Sequence, residues 1–151
     1  LSTVHTNSAA ETVTRLLNMG VPAFNIAASV TLIIAQRLAR RLCSHCAEPE
    51  TSVPQEALLQ LGFTPDQLST ATIKRPLGCG HCQDGYKGRV GIYEVVKITK
   101  PIASAIMDGA NSLELDRVAR EAGFNNLRQS ALRKCAEGLI SLEEVSRVTT
   151  D

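Results

Sequence analysis

Four of the five cysteines stand in two pairs, Cys43-Ser-His-Cys46 and Cys79-Gly-His-Cys82. Two residues between paired cysteines let both sulfurs of one tight turn reach a single metal ion, with Zn–S about 2.3 Å, and two such turns complete a tetrahedron. Gly78 and Gly80 suit the second turn, where the backbone is expected to be most crowded. Closing the 32 residues between the pairs costs roughly 3 kcal/mol by the logarithmic loop law. Structural zinc supplies on the order of 10–16 kcal/mol in small modules, so the metal tolerates an insert of this length. Four cysteine ligands leave no open coordination position, which makes the reading structural zinc and not catalytic zinc. Arg40, Arg41, Lys74 and Arg75 flank the pairs and are expected to offset the thiolate charge. Three other readings stand beside this one. A thioredoxin-like redox pair needs only one of the two motifs, an iron–sulfur centre uses the same sulfurs, and His45 or His81 could replace one cysteine as ligand. Cys135 stands alone on an apolar helical face and reads as core.

The second group with chemical capacity is His5, set among small polar residues in Leu1-Ser-Thr-Val-His-Thr-Asn-Ser-Ala9. Leu1 to Val4 reads as a strand end. A loop beyond the carboxyl end of a strand is where α/β sheets bind ligands. A histidine there could orient a phosphate or a water; the plainer reading is an ordinary loop histidine.

The elements that must position these groups follow from periodicity. Ala10, Val13, Leu16 and Leu17 fall at helical spacing, with Gly20 as the stop. After Pro22, the positions Ile26, Val30, Ile33, Ile34, Leu38 and Leu42 predict a longer, largely buried helix over 24–42. Arg37, Arg40 and Arg41 would complement the dipole at its end. Thr64-Pro-Asp-Gln67 is a capping box inside the insert. Residues 83–88 are turn material, and the β-branched content of 89–95 predicts a strand. The last third is helical: Asn111-Ser-Leu-Glu114 and Ser141-Leu-Glu-Glu144 are capping boxes, and Gly123 and Gly138 end helices.

Composition narrows the functional classes. The chain has 151 residues, 44% of them hydrophobic and 21% charged, which is globular and enough for one core. The net charge of +1 and the 3% aromatic content, with no Trp, supply neither the field nor the stacking platforms of a nucleic-acid binder. No apolar run reaches the roughly 18 residues of a membrane span. An odd cysteine count dominated by metal-type spacing suits a reducing compartment. The chain begins at Leu1 in what reads as a strand end, so a longer parent is expected.

The motifs together resemble the secretion ATPase superfamily, the RecA-like hexameric motors of type II secretion and type IV pili. Ser2-Thr-Val-His-Thr-Asn-Ser-Ala9 resembles its His box. The resemblance continues through Thr14-Arg-Leu-Leu-Asn-Met-Gly20 and Ala35-Gln-Arg-Leu-Ala-Arg-Arg-Leu-Cys43. It resumes at Gly78-Cys-Gly-His-Cys82, at Gly85-Tyr-Lys-Gly-Arg-Val-Gly-Ile-Tyr-Glu94 and at Gly138-Leu-Ile-Ser-Leu-Glu-Glu-Val-Ser-Arg-Val148. Asn7-Ser-Ala-Ala-Glu-Thr and Met19-Gly-Val-Pro-Ala-Phe-Asn-Ile look most like the type IV pilus extension ATPases of the PilB type. Type II secretion ATPases are the near neighbour.

The resemblance implies an α/β fold, the C-terminal part of a RecA-like P-loop ATPase domain, mostly helical here, with a tetracysteine zinc module and a short β-hairpin. It implies three segments: 1–42 from the ATPase core with the His box, 43–95 as zinc module and following strand, and 96–151 as a helical subdomain. It further implies a cytoplasmic homo-hexamer, peripheral at the inner membrane through a platform protein, with ATP and Mg²⁺ as cofactors and Zn²⁺ as structural metal. His5 would be the residue of the catalytic site that senses nucleotide state. No G-x-x-x-x-G-K-[ST] loop occurs in the chain, so the fragment alone is expected to be inactive. A reading from another class is a standalone zinc-ribbon interaction module.

Overall fold

The computed structural model describes residues 1–150. In chain order the elements are α1 (Ala9–Asn18), α2 (Ala23–Ser29), β1 (Leu32–Leu42), β2 (Glu48–Pro49), α3 (Gln55–Leu61), α4 (Pro65–Thr70), β3 (Lys74–Arg75), β4 (Tyr86–Lys97), α5 (Lys100–Met107), α6 (Ser112–Glu121), α7 (Leu127–Ala136) and α8 (Leu142–Thr149). Strands β1 and β4 pair in one two-stranded sheet, and β2 and β3 in another. The Ile98 N–H donates to the Thr31 carbonyl and the Cys43 N–H to the Gly85 carbonyl, so β1 and β4 run antiparallel. The chain folds into two compact units, residues 1–36 with 93–127 and residues 37–92 with 128–151. The three consecutive segments expected from sequence are thus interleaved. Of the C-terminal helices, α5 and α6 pack in the first unit, and α7 and α8 lie in the second.

The expected helix over 24–42 is replaced by the short helix α2 and the eleven-residue strand β1. Helix α2 ends at Val30 in extended backbone. Beyond it the period is two: Ile33 and Ala35 are buried, while Leu32 and Ile34 are exposed. The crowded Ile33-Ile34 pair and Val30-Thr31 favour strand over helix, and apolar residues on both faces mimicked a wide helical stripe. With no helix end at Arg37, Arg40 and Arg41, the dipole account of these arginines falls. Residues 1–8 form no strand; a strand needs a neighbour to accept its hydrogen bonds, and Leu1–Val4 has none among the described residues.

In the first unit, α1, α2, α5 and α6 pack on the inner face of the sheet. Ala9, Ala10, Val13, Ile26, Ile33, Val96, Ile102, Ile106, Leu115 and Ala119 make the core. Helix α1 begins as its sequence specifies: Ser8 Oγ accepts from the Glu11 N–H, and Glu11 Oε2 accepts from the Asn7 N–H. Helix α6 carries the expected full capping box between Asn111 and Glu114. Glu94, 1% exposed, is the buried charge of this unit.

In the second unit, α3 and α4 form the insert, closed by the β2–β3 ladder with Glu48 opposite Arg75 and Pro49 opposite Lys74. The Thr64–Gln67 capping box starts α4. The insert is anchored on α7 and its end: Arg128 donates to the Leu61 carbonyl and the Thr72 N–H to the Ala136 carbonyl. Cys135 is fully buried on α7, and burial pushes its thiol up to about 12, so it is core as expected. At α8 the expected capping box is only half made. Ser141 Oγ accepts from the Glu144 N–H, but the Glu144 side chain turns away to other partners.

Candidate metal centre

The first cysteine pair sits where β1 ends and the second just before β4 begins, so the two paired strands bring turns far apart in sequence to one place. Between the pairs, residues 47–78 form a small folded insert and not a slack loop, so ordering them is shared with the ladder and with α7.

The four sulfurs converge: all lie within 4.8 Å of one another. Cys43 and Cys79 are 3.9 Å apart, Cys46 and Cys82 3.7 Å, and Cys79 and Cys82 3.7 Å. A tetrahedral ion with about 2.3 Å bonds to sulfur requires edges of roughly 3.8 Å. Disulfides need about 2.05 Å, and all five cysteines are free thiols. The donor set therefore fits a tetrahedral thiophilic cation. Backbone amides support it: the Gly78 N–H points at Cys46 Sγ (3.4 Å) and the Cys79 N–H at Cys82 Sγ (3.3 Å). The His45 backbone amide lowers the Cys43 thiol's pKa, whereas burial raises that of Cys46; a bound dication deprotonates both outright.

His45 and His81 are exposed and stack on each other, ring centroids 4.7 Å apart. They lie outside the group of side chains placed to hold an ion, which consists of the four cysteines. Two of the four flanking cations are committed elsewhere. Arg75 pairs with Glu48 at 3.2 Å and Arg40 with Glu144 at 2.8 Å.

Gly78 takes the positive φ (107°) that suits glycine, as expected, but neither it nor Gly80 is the crowded one: that is Gly85, in the hairpin after the second cysteine pair. A Cβ on Gly85 would meet Pro76 Cβ at 2.4 Å and its Cα at 2.9 Å, whereas one on Gly80 would meet nothing within 4 Å. Asp84 (φ 51°) and Gly85 (φ 86°) both take positive φ, between Gln83 and Tyr86, which exchange both backbone hydrogen bonds. That is the two-residue hairpin turn for which Asp-Gly is the favoured sequence.

A network missed at the sequence level holds the end of β1. The buried Glu144 carboxylate accepts from the Arg40 N–H (2.6 Å), Arg40 Nε (2.8 Å), Arg147 Nε (2.7 Å) and Arg147 Nη2 (2.8 Å). Burial alone would raise its pKa; the hydrogen bonds from Arg147 and Arg40 overcome it and hold the carboxyl at about 2. The Arg40 guanidinium lies 4.1 Å over the Tyr86 ring, and the Tyr86 hydroxyl shares a 2.8 Å hydrogen bond with Ser141. Only the half-matched Ser141–Glu144 box hinted at it in the sequence.

His5 is exposed in the loop before α1. Its neighbours are tied down: Thr6 Oγ1 lies 2.7 Å from Thr12 Oγ1, and the Asn7 N–H is held by Glu11. His5 belongs to the first unit and the cysteine cluster to the second.

A family model described as Type II/IV secretion system protein matches residues 1–147. The chain belongs to that family. It is 62% identical over its whole length to the type IV pilus assembly ATPase PilB of Pseudomonas aeruginosa, covering 26% of that protein. It is 47% identical over 96% of its length to PilB of Myxococcus xanthus, again covering 26%. Against the type II secretion system protein E of Pseudomonas aeruginosa the identity is 42% over the full chain, covering 30%. The chain thus spans about a quarter of the length of the pilus relatives it matches. No helix among the described residues is long and apolar enough to cross a membrane.

Proposed function

We propose that this secretion-family chain is the C-terminal part of a hexameric ATPase that powers type IV pilus assembly at an inner-membrane platform. The observation that carries it is a contrast within one organism. Identity is 62% to the pilus assembly ATPase of Pseudomonas aeruginosa and 42% to its type II secretion protein E. In this reading the parent binds ATP and Mg²⁺ through residues upstream, His5 senses the γ-phosphate, and the cysteine cluster holds a structural Zn²⁺. The protein works in the cytoplasm and meets the membrane only through its platform partner.

Two chimeras test the assignment. Each relative from Pseudomonas aeruginosa has its matching segment replaced by this chain. Pilus-dependent surface motility is expected to return in the first chimera, while protein export stays lost in the second. Export restored without motility would overturn the pilus reading in favour of type II secretion. In the full-length parent, His5→Ala is expected to cut ATP turnover while nucleotide binding persists; unchanged turnover would remove the sensing role.

A further inference from the structure

Glu94 closes the Gly85–Glu94 motif of β4, and its carboxylate is spent on two elements of the first unit. Oε2 accepts from the Ala9 N–H at 3.2 Å, and Oε1 accepts from Arg120 Nη2 at 3.0 Å. Ala9 is the first residue of α1, whose leading amides have no partner within the helix. Ser8 takes the Glu11 amide; Glu94 takes the one at Ala9 from 85 residues away. Arg120 is held in turn by Asp116 at 3.4 Å and by the Phe124 carbonyl. Burying a carboxylate at 1% exposure is unfavourable unless its oxygens are satisfied, and Glu94 shares the lining of one small cavity with the apolar Val13, Ile33, Val96 and Ile102. A strand residue with a purely packing role would be apolar here, as Ile92 and Val96 are on the same face.

We infer that Glu94, oriented by Arg120, is a positioning residue for the His5 loop. It fixes the first turn of α1, and from that turn Ser8, Asn7 and Thr6 are held in sequence, so that His5 is presented from a rigid base. The Ala9 N–H to Glu94 hydrogen bond ties the base of this loop to a strand 85 residues away, whereas the Asn7 and Glu11 amides are held by Glu11 and Ser8 of the same segment. The inference rests on the proposed role of His5 for its consequence, but the placement of the loop can be measured separately.

The experiment uses the full-length parent carrying Glu94→Gln, His5→Ala and both. The glutamine keeps an acceptor for Ala9 but loses the charge that binds Arg120. Amide exchange over residues 3–9 is expected to rise in Glu94→Gln, with the rest of the chain unaltered. Turnover should fall about tenfold, the equivalent of one charge-assisted hydrogen bond, with KM for ATP within roughly twofold. In the double variant Glu94→Gln should add nothing to His5→Ala. Unchanged exchange over 3–9 overturns the inference whatever the activity does. Raised exchange with normal turnover, or losses that simply add, also overturns it and leaves a structural carboxylate. A His5→Ala variant of full activity instead removes the sensing role, and the functional half of this inference with it. Should Glu94→Gln fail to fold, Arg120→Lys keeps the charge but loses the fork, and is read by the same exchange and turnover.

Discussion

At the scale of single residues, Glu94 and Glu144 are buried carboxylates whose distant partners no spacing rule identifies. Glu144 is fully buried and receives two guanidinium groups and a backbone amide. Glu144→Gln leaves both arginines facing a partly mismatched amide and is expected to lower stability by about 3 kcal/mol, read by urea unfolding at pH 7. The pH dependence has a definite sign. The folded-state pKa, about 2, lies below that of an unfolded glutamate. The stabilisation is therefore complete above an unfolded pKa of about 4.3 and is lost as pH falls from there through about 2. The gap in unfolding free energy between wild type and Glu144→Gln should shrink steadily across that window. A gap that stays constant down to pH 2 would mean that the carboxylate is not held ionised by its arginines. The cysteines were legible from sequence because their spacing is local chemistry. Cys79→Ser is expected to abolish tight binding of one Zn²⁺ per chain, read by native mass spectrometry before and after acid denaturation. Retention of a tightly bound ion would show that another side chain completes the site.

Among the elements, the sequence was clearest where a signal is local. Helix α1 follows Ala10, Val13, Leu16 and Leu17, and the Thr64 and Asn111 capping boxes form as spaced. It was least clear at β1. Residues 32–42 have apolar side chains on both faces, and a two-sided strand satisfies a helical template as well as its own. The exposed Leu32, Ile34 and Leu38 are the source of that ambiguity. The turn before β4 is a third case. Asp84-Gly85 is a legible hairpin signal, but the approach of Pro76 to Gly85 depends on a fold that no local window contains. Gly85→Ala places a methyl 2.4 Å from Pro76 Cβ at a positive φ. Gly88→Ala keeps the positive φ but meets nothing within 4 Å. The first is expected to lower stability by about 3 kcal/mol or more and to weaken metal retention, the second by about 1 kcal/mol with the metal kept. Thermal melts and zinc content of the two variants decide it; equal effects would show that φ alone, and not the contact with Pro76, sets the requirement.

Over the whole molecule, neither unit is one stretch of chain. Each is completed by a C-terminal helix pair, α5 and α6 for the first and α7 and α8 for the second, and the strands β1 and β4 contribute to both. Composition and periodicity could not show this, because which helix closes which core is set by packing at large sequence separation. The division makes the metal a local constraint. The first unit owes its core to Ile26, Ile33, Ile102, Ile106 and Leu115 and contains none of the four clustered cysteines. The second unit has the cysteine cluster, the anchored insert and the Glu144 network. Stripping the ion from zinc-loaded protein with a chelator leaves four unneutralised sulfur donors and removes a closure on the order of 10 kcal/mol in comparable modules. Amide exchange is then expected to rise first over residues 43–85, while amides near Ile102, Ile106 and Leu115 keep their protection. If protection were lost everywhere at one rate, the two units would form a single cooperative fold. If chelation changed nothing over 43–85, the cysteine cluster would be a bystander to stability, and the structural role of the metal would have to be abandoned.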